Sequence, residues 1–206
     1  MTQAPTSRAE LKETLLQITI EKIEQSGVHS VRARDLAKDA GCAVGTIYNL
    51  VGDLDNLILL ASARTLEEFQ EFALKQTSEA VEKGFSNIEI LECMAAFYVD
   101  FAIAHKKRWQ ACFELNYAEG SDYHKTFTKG QSQLLGLIVK VLKDINPNVD
   151  QRELAAIGRA LWASVHGISM MAIGNPTKTL SRDLMLNQCN RIIHPVIQAL
   201  TFEART

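Results

Sequence analysis

The chain of 206 residues is 47% hydrophobic and 22% charged, carries a net charge of −2 and holds four cysteines. That composition excludes a disordered tail or a fibre, and the length allows one large domain or a small domain joined to a medium one. No apolar run approaches the roughly 18 residues needed to span a bilayer and the N-terminal residues lack the apolar core of a secretory signal, so a soluble cytoplasmic protein is expected.

Proline occurs only at positions 5, 147, 176 and 195, and the long intervals between show apolar residues at three- and four-residue spacing. That period predicts an all-helical protein. A first helix is expected from Ser7 to Ser26, with Thr6 or Ser7 as cap, Leu16, Ile20 and Ile23 as inner stripe and Gly27 as stop. Ser30 is expected to cap a second helix that buries Leu36, Ala37 and Ala40 and ends at Gly41. A third helix is predicted from Val44 to Leu50 with Ile47 turned inward, and Asp53 can cap a fourth, residues 54–83. At 1.5 Å per residue that fourth helix is roughly 45 Å long, more than a three-helix unit covers, so it is expected to bridge a domain over residues 1–56 and another over 57–206. Further helices are predicted near Asn87 to Ala104, His105 to Glu114, Asp122 to Ile145, Asp150 to Ile173 and Ser181 to Leu200. Loops with Gly84, Gly120, Asn146-Pro147 and Gly174-Asn175-Pro176 separate them. Cys42, Cys93, Cys112 and Cys189 lie far apart inside apolar patterns, with no metal-ligand spacing, and read as reduced core residues.

Ser30 to Tyr48 is the segment with chemical content. Two helices joined by a short glycine turn form a helix-turn-helix, which sets the N-terminal residues of the second helix against base edges in the major groove of DNA. The exposed residues of that second helix should be Val44, Gly45, Thr46, Tyr48 and Asn49. Gly45 lets the backbone come close, Thr46 offers a hydroxyl and a methyl, Asn49 can pair with adenine and Tyr48 can donate to a phosphate. Ser30, Arg32 and Arg34 sit near a helix start, where backbone N–H groups and the dipole favour a phosphate, and Lys38 is a further candidate. Residues 1–60 nevertheless hold six basic side chains against eight acidic ones.

Leu16 to Gly27, Ser30 to Ala40, and Gly41 through Gly45-Thr46-Ile47-Tyr48 to Leu57 resemble the N-terminal domain of TetR-type transcriptional regulators. The resemblance implies a three-helix DNA-binding domain on an all-helical ligand-binding and dimerisation bundle, usually a repressor that leaves DNA when a small molecule binds. It carries phosphate contact onto Ser30, Arg32 and Tyr48, and base-edge contact onto Val44, Gly45 and Thr46. The chain departs from the pattern at Val51, where an aromatic residue is common, and at Leu54, where a Lys is. With the acidic balance, this predicts fewer neutralised phosphates and a shallower salt dependence.

Trp162-Ala-Ser-Val-His166-Gly167 resembles the Trp/His-Gly signature of one C-terminal subclass of these regulators. Trp162, His166 and Ser169 or Met170 share a helical face that can line a pocket. Equally, His166 can be a core residue held by a neighbouring carbonyl, with Gly167 permitting close packing. Phe97, Tyr98, Phe101, Trp109, Phe113 and Tyr117 form a second aromatic set, and the candidate ligand contacts are Phe97, Phe101, Trp109, Phe113, Trp162, His166 and Met170. Lys106, Lys107 and Arg108 read as a solvated helix junction. The last two helices carry wide apolar stripes, compatible with the four-helix dimer interface that the resemblance implies, and a two-fold operator requires a dimer.

The expectation is a homodimeric regulator that binds double-stranded operator DNA and a small-molecule effector, with no cofactor, metal or catalytic residues. The alternative is a ligand-binding dimer with a weakened DNA-binding head.

Overall fold

The structure is a computed structural model and describes residues 7–114, 122–174 and 180–204. Thr6, Tyr117, Gly120, Asn175 and Pro176, singled out above, lie outside these. Among the described residues every regular element is a helix. They are α1 (Arg8–Ser26), α2 (Ala33–Asp39), α3 (Val44–Val51), α4 (Leu54–Glu82), α5 (Asn87–Ala104), α6 (Lys106–Glu114), α7 (Asp122–Ile145), α8 (Gln151–Gly174) and α9 (Arg182–Glu203), with a 3-10 turn at Val28–Ser30. None is long and apolar enough to cross a membrane.

The chain packs as two compact units. One comprises residues 1–67 and 105–130, the other 68–104 and 131–206. The α4 helix therefore contributes residues to both, and α6 joins the first unit, where it packs on α1.

Local chemistry explains the first unit. Ser7 caps α1 by accepting from the Glu10 N–H at 3.1 Å while the Glu10 carboxylate accepts from the Ser7 N–H at 3.1 Å, a reciprocal capping box. Gly27 ends the helix at φ 81°, in the region that favours glycine. Between α2 and α3, Gly41 at φ 67° donates to the Lys38 carbonyl at 3.3 Å and Cys42 to the Ala37 carbonyl at 2.9 Å. This pair of bonds is the Schellman stop, and it permits a turn of four residues. The core beneath joins Leu15, Ile23, Leu36, Ile47 and Leu57 with Ala111 of α6.

Two sequence expectations fail here. Ser30 does not cap α2: its hydroxyl donates to the Gly27 carbonyl at 2.7 Å and closes the 3-10 turn. Buried Val31 and extended Arg32 intervene, and Arg32 takes the cap position without a side-chain cap bond. Nor is Arg108 solvated, because it is buried and donates through Nε and Nη2 to the Thr65 hydroxyl at 3.2 and 3.1 Å. Lys106 and Lys107 are exposed.

In the second unit α5 packs on α9 and α8, and α8 on α9. The close approach falls at Gly158 of α8, where a Cβ would meet Leu135 and Val139 of α7 at 3.3 Å each. Gly167, expected to play that part, faces nothing within 4 Å. Arg182 of α9 donates bidentately to Asp100 of α5 at 2.5 and 2.8 Å, and His194 pairs with Glu92 at 2.5 Å. The four cysteines are free, Cys112 and Cys189 buried and Cys42 and Cys93 half-buried.

Candidate nucleic-acid interface and apolar cavity

The α3 helix is amphipathic because Ile47 and Val51 are one turn apart and both are buried, at 0% and 3% exposure. Gly45, Tyr48 and Asn49 occupy the opposite side and are exposed, Tyr48 at 46%. Thr46 is half-buried, and no atom lies within 4 Å of where a Gly45 Cβ would stand. Val44, expected on this exposed side, is half-buried against the core. On α2, Arg34 and Lys38 stand one turn apart and exposed. Arg32 is exposed, and its Nη1 donates to the carbonyls of His29 and Val31 at 2.7 and 2.9 Å. Ser30 is half-buried with its hydroxyl engaged as described.

The C-terminal end of α3 is held from three sides. The Gly52 N–H bonds the Tyr48 carbonyl at 2.8 Å, Asn56 Nδ2 bonds the Val51 carbonyl at 2.9 Å and Arg8 Nη2 bonds the Asn49 carbonyl at 2.7 Å. Sequence reasoning missed Arg8. No short-range pattern links positions 8 and 49, although α3 has no basic residue in its last turn and so leaves its negative dipole end to a cation from elsewhere. The Asp53 carboxylate accepts from the Asn56 N–H at 2.7 Å and starts α4, as expected.

The acidic balance of residues 1–60 also resolves. Glu10, Glu13 and Glu21 lie with Asp39 along a groove on α1, and Lys22 pairs with Asp39 at 2.6 Å. From Ser30 to Val51 three basic side chains face two acidic ones.

The second unit contains a partly open cavity of about 60 Å³ to which all five of its helices contribute. Its walls include Phe69 of α4, Tyr98 of α5, Leu137 of α7, Trp162 and Val165 of α8 and Ile193 of α9. Among the described residues the lining carries no charged side chain. Of the expected ligand contacts only Trp162 lines it. His166 sits one bond behind: its Nδ1 is 2.6 Å from the Tyr98 hydroxyl, and its ring stacks on Trp162 at 5.3 Å and 22°. That partner is a hydroxyl and not the expected carbonyl, and burial lowers the His166 pKa, so the neutral imidazole is favoured. Phe101, which packs on Phe69 at 5.1 Å, Phe97, which packs on Phe72 at 5.8 Å, and half-buried Met170 do not line the cavity.

Trp109 and Phe113 belong to the first unit, with Trp109 buried and their rings 5.5 Å apart. Apolar spacing runs through α5 and α6 alike and does not register that the two helices serve different cores. Phe69 and Ala73 of α4 and Met94 of α5 were missed for the same reason, since a stripe reports burial and not a void.

These features define an all-helical protein with a helix-turn-helix head and a cavity-bearing helical bundle. Residues 91–187, which include Trp162, His166 and Gly167, match the tetracyclin repressor-like C-terminal domain. No curated protein matches the chain in sequence. Among solved structures, a TetR-like transcriptional regulator from Rhodococcus sp. RHA1 is similar at 16% identity and TM-score 0.63, over 94% of this chain and 99% of its own. A protein of unknown function from the same organism reaches 17% identity and TM-score 0.67 over 98% of each chain. The transcriptional regulator FadR from Bacillus subtilis, in complex with stearoyl-CoA, reaches 14% identity and TM-score 0.64 over 90% of this chain and 97% of its own. Residues 91–187 thus resemble that C-terminal domain, and the fold of these solved structures extends along nearly the full chain.

Proposed function

We propose that the protein is a sequence-specific DNA-binding transcriptional regulator, a homodimeric repressor that a small-molecule effector releases from its operator. The observation that carries this reading is the exposure of Gly45, Tyr48 and Asn49, with half-buried Thr46 beside them, on a helix whose other face is buried and whose end is tied at three carbonyls. A helix so held presents hydrogen-bonding groups to a groove without first being ordered. Dimerisation is supported by apolar side chains left exposed on α8 and α9, among them Met171 at 77% and Phe202 at 70%. The effector reading is supported by the apolar cavity and by FadR, solved with stearoyl-CoA.

Coupling would run through α4. Phe69 and Ala73 of that helix line the cavity, and Asn56 near its start bonds the end of α3. A ligand that binds better when the cavity is widened biases α4, and release follows from its differential affinity for the two states. Fragments of the DNA upstream of the protein's own gene should give a shifted complex in a gel assay, weakened about tenfold or more by Tyr48→Ala and less by Thr46→Ala, since each good base or phosphate contact carries roughly 1–3 kcal/mol. Unchanged binding in both variants overturns the assignment of α3. A second reading, a ligand-binding dimer with a weakened head, is favoured by Leu54, half-buried against the core where it offers no cation to a phosphate. Recovery of no site from a genomic DNA selection by a stable dimer would support it.

A further inference from the structure

We infer that the cavity selects an uncharged, hydrocarbon-rich ligand whose single polar group meets the Tyr98 hydroxyl, with His166 as the residue that positions that hydroxyl. The inference rests on the reading of this cavity as the effector site and adds the chemistry of what fills it.

The walls supply the first argument. The lining is aliphatic and aromatic, and its polar side-chain groups are the Tyr98 hydroxyl and the Trp162 indole N–H. A carboxylate, phosphate or ammonium placed there would lose its hydration and find no counter-charge among the described lining residues, whereas a hydrocarbon loses nothing of the kind. Glu92 and His194, which lie on α5 and α9, are occupied with each other. Asp100 and Arg182, on the same two helices, form another closed pair.

Positioning supplies the second. Tyr98 is buried, its ring meets Phe69 edge to face at 5.5 Å, and its hydroxyl is held by His166, whose ring is braced against Trp162. If Nε2 carries the imidazole proton, the hydroxyl donates to Nδ1 and turns its lone pairs outward. If Nδ1 carries it, the hydroxyl accepts and keeps its own proton to donate. In both tautomers the wall presents an uncharged hydrogen-bonding group at a defined place, suited to an alcohol, ketone or ester.

Volume supplies the third. At about 60 Å³ the cavity holds only a few heavy atoms as it stands, below the several hundred Å³ of a typical ligand pocket. A longer chain therefore enters by parting the helices, and Phe69 and Ala73 place α4 among those it parts.

The test uses the full-length protein and a fluorescent apolar probe, N-phenyl-1-naphthylamine, displaced by 1-octanol, octanoate or octylammonium at pH 7.5. The expected result is saturable probe binding, with octanol displacing it at a concentration at least tenfold below either ion. Displacement by octanoate or octylammonium as readily as by octanol overturns the inference, and so does the absence of saturable probe binding. In Tyr98→Phe the advantage of octanol should shrink several-fold while the probe still binds. In His166→Gln the advantage should shrink less, and a variant indistinguishable from the parent overturns the positioning role. Ala73→Leu, which fills the cavity, should weaken the probe and all three competitors alike, and undiminished binding overturns the location. The same samples are then mixed with operator DNA. Octanol that displaces the probe and leaves the DNA complex intact refutes the effector reading and upholds the ligand chemistry. DNA release by the ions alone does the reverse.

Discussion

The two units solve different packing problems. The head is closed around Leu15, Leu36, Ile47 and Leu57, each 0% exposed, and its exits are sealed by caps: Ser7 with Glu10, the Schellman bonds at Gly41, Arg8 and Asn56 on the end of α3. The second unit has buried residues of its own, yet leaves a void lined by all five helices. A void costs stability because its walls lack dispersion partners. The contrast teaches that the core closes fully in the head and leaves a gap in the bundle.

The sharpest way to break this contrast is to truncate one leucine in each unit. Leu36→Ala, in the sealed core, should cost about 3 kcal/mol or more in chemical denaturation, whereas Leu137→Ala, at the half-buried cavity wall, should cost nearer 1 kcal/mol because that side chain is already partly in water and partly beside empty space. Equal costs would mean that the cavity is not a packing deficit.

A smaller effect isolates the anchoring of α3. Arg8→Ala should weaken operator binding roughly tenfold, equivalent to about 1.4 kcal/mol, with partial recovery in Arg8→Lys, which keeps the cation at the dipole end but not the planar donors. Fluorescence anisotropy with labelled DNA reads this directly, and equal loss in both variants would assign Arg8 no role beyond its geometry.

Ser7→Ala removes half of the capping box and should lower stability by about 1 kcal/mol without altering the probe binding of the second unit. A change in both would show that the units respond together.

The smallest effect is on pH dependence. Because burial lowers the His166 pKa below its ordinary value of 6.5, the unfolded chain binds more protons than the folded one in the window just below 6.5. Stability should therefore rise with pH through that window and level off above it, and His166→Gln should flatten that part of the denaturation profile. A slope unchanged in the variant would trace the dependence to other groups.

Much of the head was legible because its signals are local. Ser7, Gly27, Gly41 and Asp53 act within five residues of their own positions, so their spacing predicts both ends of α1, the end of α2 and the start of α4. Ser30 misled because an N-cap and a 3-10 closure use the same hydroxyl, and the burial of Val31 decides between them. In the bundle, Trp162 and His166 were legible as a face, but Tyr98, Phe69 and Ala73 were not legible as its counterpart.

By itself, then, the sequence determined the helices, their stops, the glycine turn and the inward set of α3, because periodicity, caps and positive-φ glycines act within a turn or two of chain. Only the tertiary structure decided that α6 joins the head, that Arg8 reaches Asn49 across forty-one positions, and that five helices leave a cavity beside Tyr98 and Trp162. Apolar stripes tell each helix to bury a face and leave open which neighbour receives it, and a void exists only where several such faces fail to close.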